Sequence, residues 1–238
     1  MRKEEIISIA HRGASNIAPE NTLKAFKKAI DLGADYIEFD VRESKDGEIV
    51  IIHDANVFRT THKFGFVKQM SLEKIKRLNA GNGEIIPTLE EILVETKGKI
   101  NYMCELKVKN ISGKVINILK NHNALDSTIL ISFKHDELLK TQNCYSDLKF
   151  GAIVPTGLGW ITNWFLKKRI ISSISEKSFF SINPFFSMVN RKFLEFAHDK
   201  DLKVFAWTAN SRRSLKKLIK LGVDGILTNN IKLLKDSI

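Results

Sequence analysis

The chain has 238 residues, 43% hydrophobic and 27% charged, which argues against a disordered polypeptide and supplies enough apolar side chain for one large core. Against 27 acidic residues stand 38 lysines and arginines, and the resulting +11 favours anionic partners such as phosphates, nucleic acids or acidic lipid surfaces. Cys104 and Cys144 lie far apart and outside any C-x-x-C pair, which excludes a disulfide framework or structural zinc site, and no RNP motif, zinc finger or basic arm directs the charge to nucleic acid.

The opening MRKEEIISIAHRG passes from a short apolar stretch straight into a His-Arg pair, unlike a signal-peptide core, and no apolar run nears the roughly 18 residues of a membrane span. A cytoplasmic location is expected. IISIA at 6–10 predicts the first strand, running into His11. HRGASNIAPENT, 11–22, leads into the amphipathic NTLKAFKKAIDLG, with Asn21 expected as its N-cap and Gly33 at its C-terminal end. DYIEFDV at 35–41 and EIVIIH at 48–53 predict a hairpin-like pair of strands.

The stretch 54–98 is too long for a plain connection and is expected to form a lid-like insertion after the second strand, with Thr88 starting the helix PTLEEILVET. Strands follow at 100–107, 128–133, 150–154, 179–183, 203–209 and 225–228, mostly separated by segments of helical period. Among these, SRRSLKKLIKLG is capped by Ser211 and ended by Gly222. In 157–174, Trp160, Ile161, Trp164, Phe165, Ile170 and Ile171 recur at helical spacing beside Lys167, Lys168 and Arg169. That segment is a candidate for peripheral membrane contact, although an ordinary barrel helix packing its aromatic side inward is the favoured reading.

About eight βα units run through the chain, the count of a TIM (β/α)8 barrel, expected here as one domain over 1–238. A doubly wound open sheet competes. The barrel is favoured because chemically suggestive residues end several different strands, whereas an open sheet gathers its ligand at one switch point.

Glu38 and Asp40 stand two apart in YIEFDV, so they point the same way with Cα atoms roughly 6.6 Å apart. Buried carboxylates need a compensating cation, and one cation can serve both. Glu105 and Lys107 in CELK repeat the spacing on the next long strand and add a third carboxylate and an ammonium. Oxygen-only ligation points to one hard divalent ion, Mg²⁺, Ca²⁺ or Mn²⁺, rather than zinc. His11 and His53 are then free for proton transfer, and Arg12 and Lys107 form an anion-binding rim. Metal, imidazoles and cations together describe phosphoryl-transfer chemistry, with no G-x-S-x-G and no Gly-rich phosphate loop in view.

HRGASNIAPENT, EFDVRESKDGEIVIIHD, the RTT of the insertion, IPTLEEIL, ELK, WTAN and GVDGILTN, in this order, resemble the glycerophosphodiester phosphodiesterase family over nearly the whole chain. The resemblance implies a TIM barrel, a divalent metal, and hydrolysis of a glycerophosphodiester to an alcohol and glycerol 3-phosphate. By motif, His11 and His53 become the acid and base couple, in either order. Glu38, Asp40 and Glu105 become metal ligands, Arg12 and Lys107 hold phosphate, and Trp207 packs against the glycerol end. Water or the substrate's own 2-hydroxyl could attack. The chain departs from the family where Asn229 replaces a frequent Asp, and where Lys200 or Asp201 replaces a Gly. Both departures are read as lying away from the chemistry.

Other readings compete. A lysophospholipase D would use the same chemistry with an apolar groove, for which Phe179, Phe185, Phe186 and Met188 are candidates. A non-catalytic phosphate-ligand binder would have lost a histidine or a metal carboxylate, and none is lost. Nucleic-acid binding is not expected. Lys107 also balances Glu105, and Trp207 also suits plain core. His62, His122, His135 and His198 are assigned to surface or caps without partners, and Cys104, opposite in phase to Glu105, to core facing the helices.

Overall fold

Strands such as TILIS and GILT are buried at every position, because a parallel sheet covered by helices on one side and closed on itself on the other leaves neither face to water. The computed structural model describes residues 6–154 and 163–238. Its strands are β1 (Ile7–His11), β2 (Tyr36–Glu43), β3 (Ile49–Ile51), β4 (Asn101–Leu106), β5 (Thr128–Ser132), β6 (Lys149–Ile153), β7 (Ser181–Asn183), β8 (Lys203–Ala206) and β9 (Gly225–Thr228). Eight of them pair in parallel, in the order β1-β9-β8-β7-β6-β5-β4-β2, and β1 also pairs with β2. That last pairing, with His11 opposite Glu38, closes the barrel and excludes the open sheet.

Inside the barrel Ile9, Met103, Ile131, Phe205 and Leu227 fill the axis. Outside, Phe39, Cys104 and Leu106 pack with the helices, so Cys104 lies as its phase requires. The helices are α1 (Leu23–Asp31), α2 (Phe58–Thr61), α3 (Leu72–Lys76), α4 (Leu89–Thr96), α5 (Ser112–Asn121), α6 (His135–Gln142), α7 (Trp164–Ser175), α8 (Arg191–His198), α9 (Arg212–Leu221) and α10 (Ile231–Lys235). Thr88 and Ser211 close capping boxes on α4 and α9, and Gly222 ends α9 in the left-handed conformation.

In the stretch 54–98, α4 packs between α1 and α5 and is the barrel's own helix. The excess therefore lies before Leu89. There β3 adds antiparallel to β2, and α2, a 3-10 turn at Val67–Gln69 and α3 gather on a small core of Val50, Ile52, Val57, Val67, Ile75 and Ile86. The antiparallel β3 continues from β2 beyond the barrel rim, so this core sits beside the mouth.

Several expectations are corrected. Thr22, not Asn21, caps α1, accepting from the Ala25 amide, while Asn21 turns left-handed at φ +56°. His135 Nε2 lies 2.9 Å from the Ile153 carbonyl, and His198 Nε2 lies 2.8 Å from Asp224, so both have partners. Phe179 and Met188 are buried in the outer core, where a groove beside the site cannot use them. Of 157–174, residues 157–162, with Trp160 and Ile161, lie outside the described residues. In the remainder Ile171 is core, Trp164 meets the Phe196 ring edge-on, and Phe165 stands in solvent. Lys167 offers no surface charge: it is buried, donating to the Met188 carbonyl at 2.7 Å. Among the described residues no helix is long and apolar enough to cross a membrane.

Candidate active site

The carboxyl ends of the parallel strands open on one cavity of about 180 Å³, lined by His11, Arg12, Glu38, His53, Glu105 and Lys107 on its polar side. Ile131, Phe133, Ile153, Trp207 and Leu227 form its apolar side. Every sequence-selected site residue except Asp40 lines this cavity, and Asp40 lies directly behind, contacting Arg12 and Lys107 at 3.4 and 3.5 Å.

Backbone geometry places these groups. After β1 the chain reverses through Arg12 (φ +58°) and Gly13 (φ +79°), which aims the Arg12 amide at Glu38 Oε2, 2.8 Å away. A Cβ on Gly13 would stand 2.7 Å from the Ala25 backbone, so the HRG turn needs glycine for its space as well as its φ. Asp40 and Glu105 are Cα partners across the β2–β4 ladder, which puts the third carboxylate beside the first two.

Glu38, Asp40 and Glu105 each present an oxygen within 4.8 Å of the others, and all three are buried. Burial, reinforced by the Asp40 charge, pushes Glu38 well above the usual carboxylate range and Glu105 up to about 7. Burial also pushes Asp40 upward, but Lys107 and Arg12 outweigh it and hold Asp40 low. Two cations thus stand against three buried carboxylates, with Lys107 shared between Asp40 and Glu105. Asp40 Oδ1 and Asn21 Oδ1, both buried, have no hydrogen-bond partner in the protein. A set of hard oxygen donors with spare lone pairs and excess negative charge fits a divalent cation.

The two imidazoles differ in what stands behind them. His11 Nδ1 lies 2.7 Å from Asn229 Oδ1, which can only accept, so Nδ1 carries the proton and Nε2 is the basic nitrogen. Burial, with Arg12 adding to it, lowers the His11 pKa to about 4. His53 Nδ1 lies 2.6 Å from Asp54 Oδ1, and this ring is lowered too, chiefly by burial. Asp54 is itself held down to about 2, because Arg59 and His53 outweigh its partial burial.

Arg59, in α2, donates Nε to Asp54 at 2.6 Å and both terminal nitrogens to Glu20 at 2.8 and 2.7 Å. Glu20 also accepts from Arg12 at 2.9 Å. An ionic chain therefore runs from His53 through Asp54, Arg59, Glu20 and Arg12 to Asp40. Lys107 donates to Glu105 at 2.8 Å, and Trp207 donates its indole N–H to the Asn183 carbonyl at 2.8 Å while its ring faces the cavity.

Residues 11–233 match the model of the glycerophosphoryl diester phosphodiesterase family. The chain belongs to that family. A glycerophosphodiester phosphodiesterase of Caldanaerobacter subterraneus subsp. tengcongensis is 37% identical over 93% of each chain. Among solved structures, the Thermotoga maritima glycerophosphodiester phosphodiesterase superposes with a TM-score of 0.83 at 25% identity, covering 98% of each chain. A phosphodiesterase of Oleispira antarctica, solved with the product sn-glycerol-3-phosphate, gives 0.85 at 25% identity over 97% of this chain and 95% of its own. The family's TIM barrel is the fold found here.

Sequence reasoning passed over six groups that the fold of this family member brings to the site: Glu20, Asn21, Asp54, Arg59, Asn183 and Asn229. The first four lie inside PENT, the HD pair and RTT, so their place in these motifs was the available signal, and Asp54 also adjoins the assigned His53. Asn183 ends β7 as His11 ends β1, and its place at a strand tip was equally legible. Asn229 is a correction: it stands against His11 instead of apart from the chemistry.

Proposed function

We propose that the protein hydrolyses glycerophosphodiesters to an alcohol and glycerol 3-phosphate with the help of one divalent cation, Mg²⁺, Ca²⁺ or Mn²⁺. The observation that carries this reading is the meeting of a buried carboxylate triad and two imidazoles in one chamber. Glu38, Asp40 and Glu105 would hold the ion, which when bound neutralises charge on the phosphate oxygens. Lys107 and Arg12 supply positive charge at the same rim, tempered by the carboxylates they already face.

His11, kept neutral by burial and oriented by Asn229, is suited to take the proton of the attacking hydroxyl at Nε2. His53, backed by the Asp54 carboxylate, is suited to carry a proton to the leaving alcohol. Trp207, beside Phe133 and Ile131, offers a flat apolar wall to the glycerol backbone. Glycerol 3-phosphate bound in the Oleispira relative supports this substrate class. We take 1–238 as a single domain with a lid-like insertion in the part of 54–98 that precedes Leu89, working in the cytoplasm on a small-molecule substrate. The two free cysteines, one of them exposed, suit a reducing compartment.

Release of the phosphomonoester product is the test, glycerol 3-phosphate from glycerophosphocholine, glycerophosphoethanolamine and glycerophosphoglycerol and lysophosphatidic acid from a lysophospholipid, with each ion or with EDTA. Cleavage of the water-soluble diesters that EDTA abolishes is expected, with His11→Ala and His53→Ala each folded and inactive. Preference for the lysophospholipid would replace this reading with a lysophospholipase D. Tight binding without turnover of any substrate would leave only a phosphate-ligand binder, and full activity in EDTA-treated protein would falsify the metal role.

A further inference from the structure

Every phenylalanine that is exposed among the described residues lies in a segment following the carboxyl end of a barrel or hairpin strand. Phe58, Phe64 and Phe66 belong to the insertion, Phe133 follows β5, and Phe165 opens α7. All five are thus on the end of the barrel where the cavity opens. Phe64 is 88% exposed, Phe165 is 78% exposed, and Phe64 stacks on Phe58 with ring centroids 4.7 Å apart. Tyr145, Val94 and Ile238 are exposed elsewhere, but exposed phenylalanine rings gather at this end alone among the described residues, and a concentration of apolar rings in water points to a partner there.

One arc of that end is also rich in cations. The helices following the four neighbouring strands β7, β8, β9 and β1 begin with Arg191 and Lys192, Arg212 and Arg213, Lys232, and Lys24, all exposed, and carry no acid in their first turns. Cations at a helix N-terminus oppose the helix dipole, so local helix stability does not account for them. Of these, Arg191 has a weak companion in Glu195 at 3.6 Å. Acids of this rim stand at the starts of α4 and α6, with Glu90 and Asp136, at the mouth, with Glu20 and Asp54, and beside the start of α1, where Glu84 accepts from the Lys24 amide at 3.3 Å. The opposite rim is mixed: Asp31, Asp35, Asp126, Asp199, Asp201 and Asp224 share it with lysines. Lys63 and Lys68 flank the insertion's rings, and Lys168 and Arg169 follow Phe165, all four exposed.

We propose that the cavity end of the barrel docks on an anionic phospholipid surface. Phe64 and Phe165 enter the headgroup layer, and the basic arc from α8 to α1 neutralises lipid phosphates around the mouth. Exposed aromatics set among lysines and arginines match the apolar and anionic strata of such an interface. A basic face that served only to attract a small anionic substrate would not need rings in the solvent. Docking does not depend on which diester the chamber cleaves.

Sedimentation with sucrose-loaded vesicles tests this, using phosphatidylcholine alone and a 2:1 mixture of phosphatidylcholine and phosphatidylglycerol. The protein is expected to sediment with the mixed vesicles, weakly or not at all with phosphatidylcholine alone, and less as NaCl rises from 0.1 to 0.5 M. The double variant Phe64→Ser/Phe165→Ser should bind about tenfold more weakly. Arg212→Glu/Arg213→Glu should lose more, roughly fivefold for each charge removed and again for each reversed. Both should keep the wild-type thermal midpoint, since all four side chains are exposed. Absence of binding to the mixed vesicles overturns the proposal. So does undiminished binding by the Phe variant, which would reduce the face to a general polycation, and so does tighter binding to a single-stranded oligonucleotide than to vesicles.

Discussion

Asn229 Oδ1 accepts from Nδ1 of His11 at 2.7 Å, joining the last strand of the barrel to the first through the ring that ends β1. The contact fixes the tautomer without lending negative charge, so burial dominates and the His11 pKa sits at about 4. Asn229→Asp keeps an acceptor in place and adds a carboxylate, which stabilises the imidazolium and raises that pKa. NMR titration of the His11 ring should follow the rise, by about one unit or more. Asn229→Ala leaves Nδ1 unheld, and kcat should fall about 10- to 100-fold with little change in KM, because general-base catalysis depends on the correct tautomer. Equal effects on kcat and KM would point to a disturbed pocket instead.

Arg59 ties the insertion to the catalytic rim, since its fork holds Glu20 with two nitrogens while its Nε holds Asp54. Arg59→Ala removes three charge-assisted hydrogen bonds and leaves Asp54 with His53 alone. Amide exchange over 54–66 should quicken, and kcat/KM should fall about tenfold as His53 loses its fixed orientation. Arg59→Lys should not restore either quantity, because an ammonium cannot reproduce the planar fork. Recovery by lysine would show that charge alone suffices.

Metal affinity should depend on pH with a sign set by the triad. Without an ion, Glu105 is raised to about 7 and Glu38 is raised well above the usual carboxylate range, both chiefly through burial, so Glu105 keeps its proton in part near neutrality and protonation of Glu38 is favoured as well. A divalent ion must displace those protons. Binding therefore strengthens as pH rises from 6 to 8 and weakens on the acid side, by up to about tenfold per pH unit for each proton released. Calorimetry in buffers of different ionisation enthalpy measures the release directly. Glu105→Gln removes one titrating group and should flatten the slope as well as weaken binding.

What the sequence disclosed and what it concealed follow from the range of the interactions involved. The barrel was legible because alternation of β-branched runs with amphipathic helices is a local pattern, and the i, i+2 carboxylates because strand alternation fixes their common side. GILT and TILIS fell within a residue of their observed strands for the same reason. Asn21 was misplaced as a cap because the rule for helix starts looks only along the chain. Across the barrel, Asp40 takes its amide at 2.8 Å and leaves Thr22 to cap α1. Asn229 and His11 are 218 positions apart, and no periodicity could join them before the barrel closed. Even a departure from the family pattern becomes intelligible afterwards. Asp201, where a glycine is frequent, holds φ +57°, a conformation glycine adopts without strain and aspartate tolerates.

Gly13 offers a test of the turn on which both Arg12 and His11 depend. Gly13 and Gly33 have nearly the same backbone, φ +79° and +73°, but an added Cβ at Gly33 meets nothing within 4 Å, while at Gly13 it meets the Ala25 backbone and side chain at 2.7 Å. Gly33→Ala should therefore cost only the strain of the left-handed conformation, about 1 to 2 kcal/mol. Gly13→Ala carries the same strain plus a collision between β1's exit and α1, for at least about 3 kcal/mol in total. Relief of the collision requires the turn to shift, and with it the Arg12 amide that donates to Glu38 at 2.8 Å. Urea denaturation of the two variants should separate them by more than 1 kcal/mol, and Gly13→Ala alone should bind the divalent ion less tightly. Equal losses in both variants would mean that the HRG glycine serves only its own φ, and that α1 does not hold the catalytic turn in place.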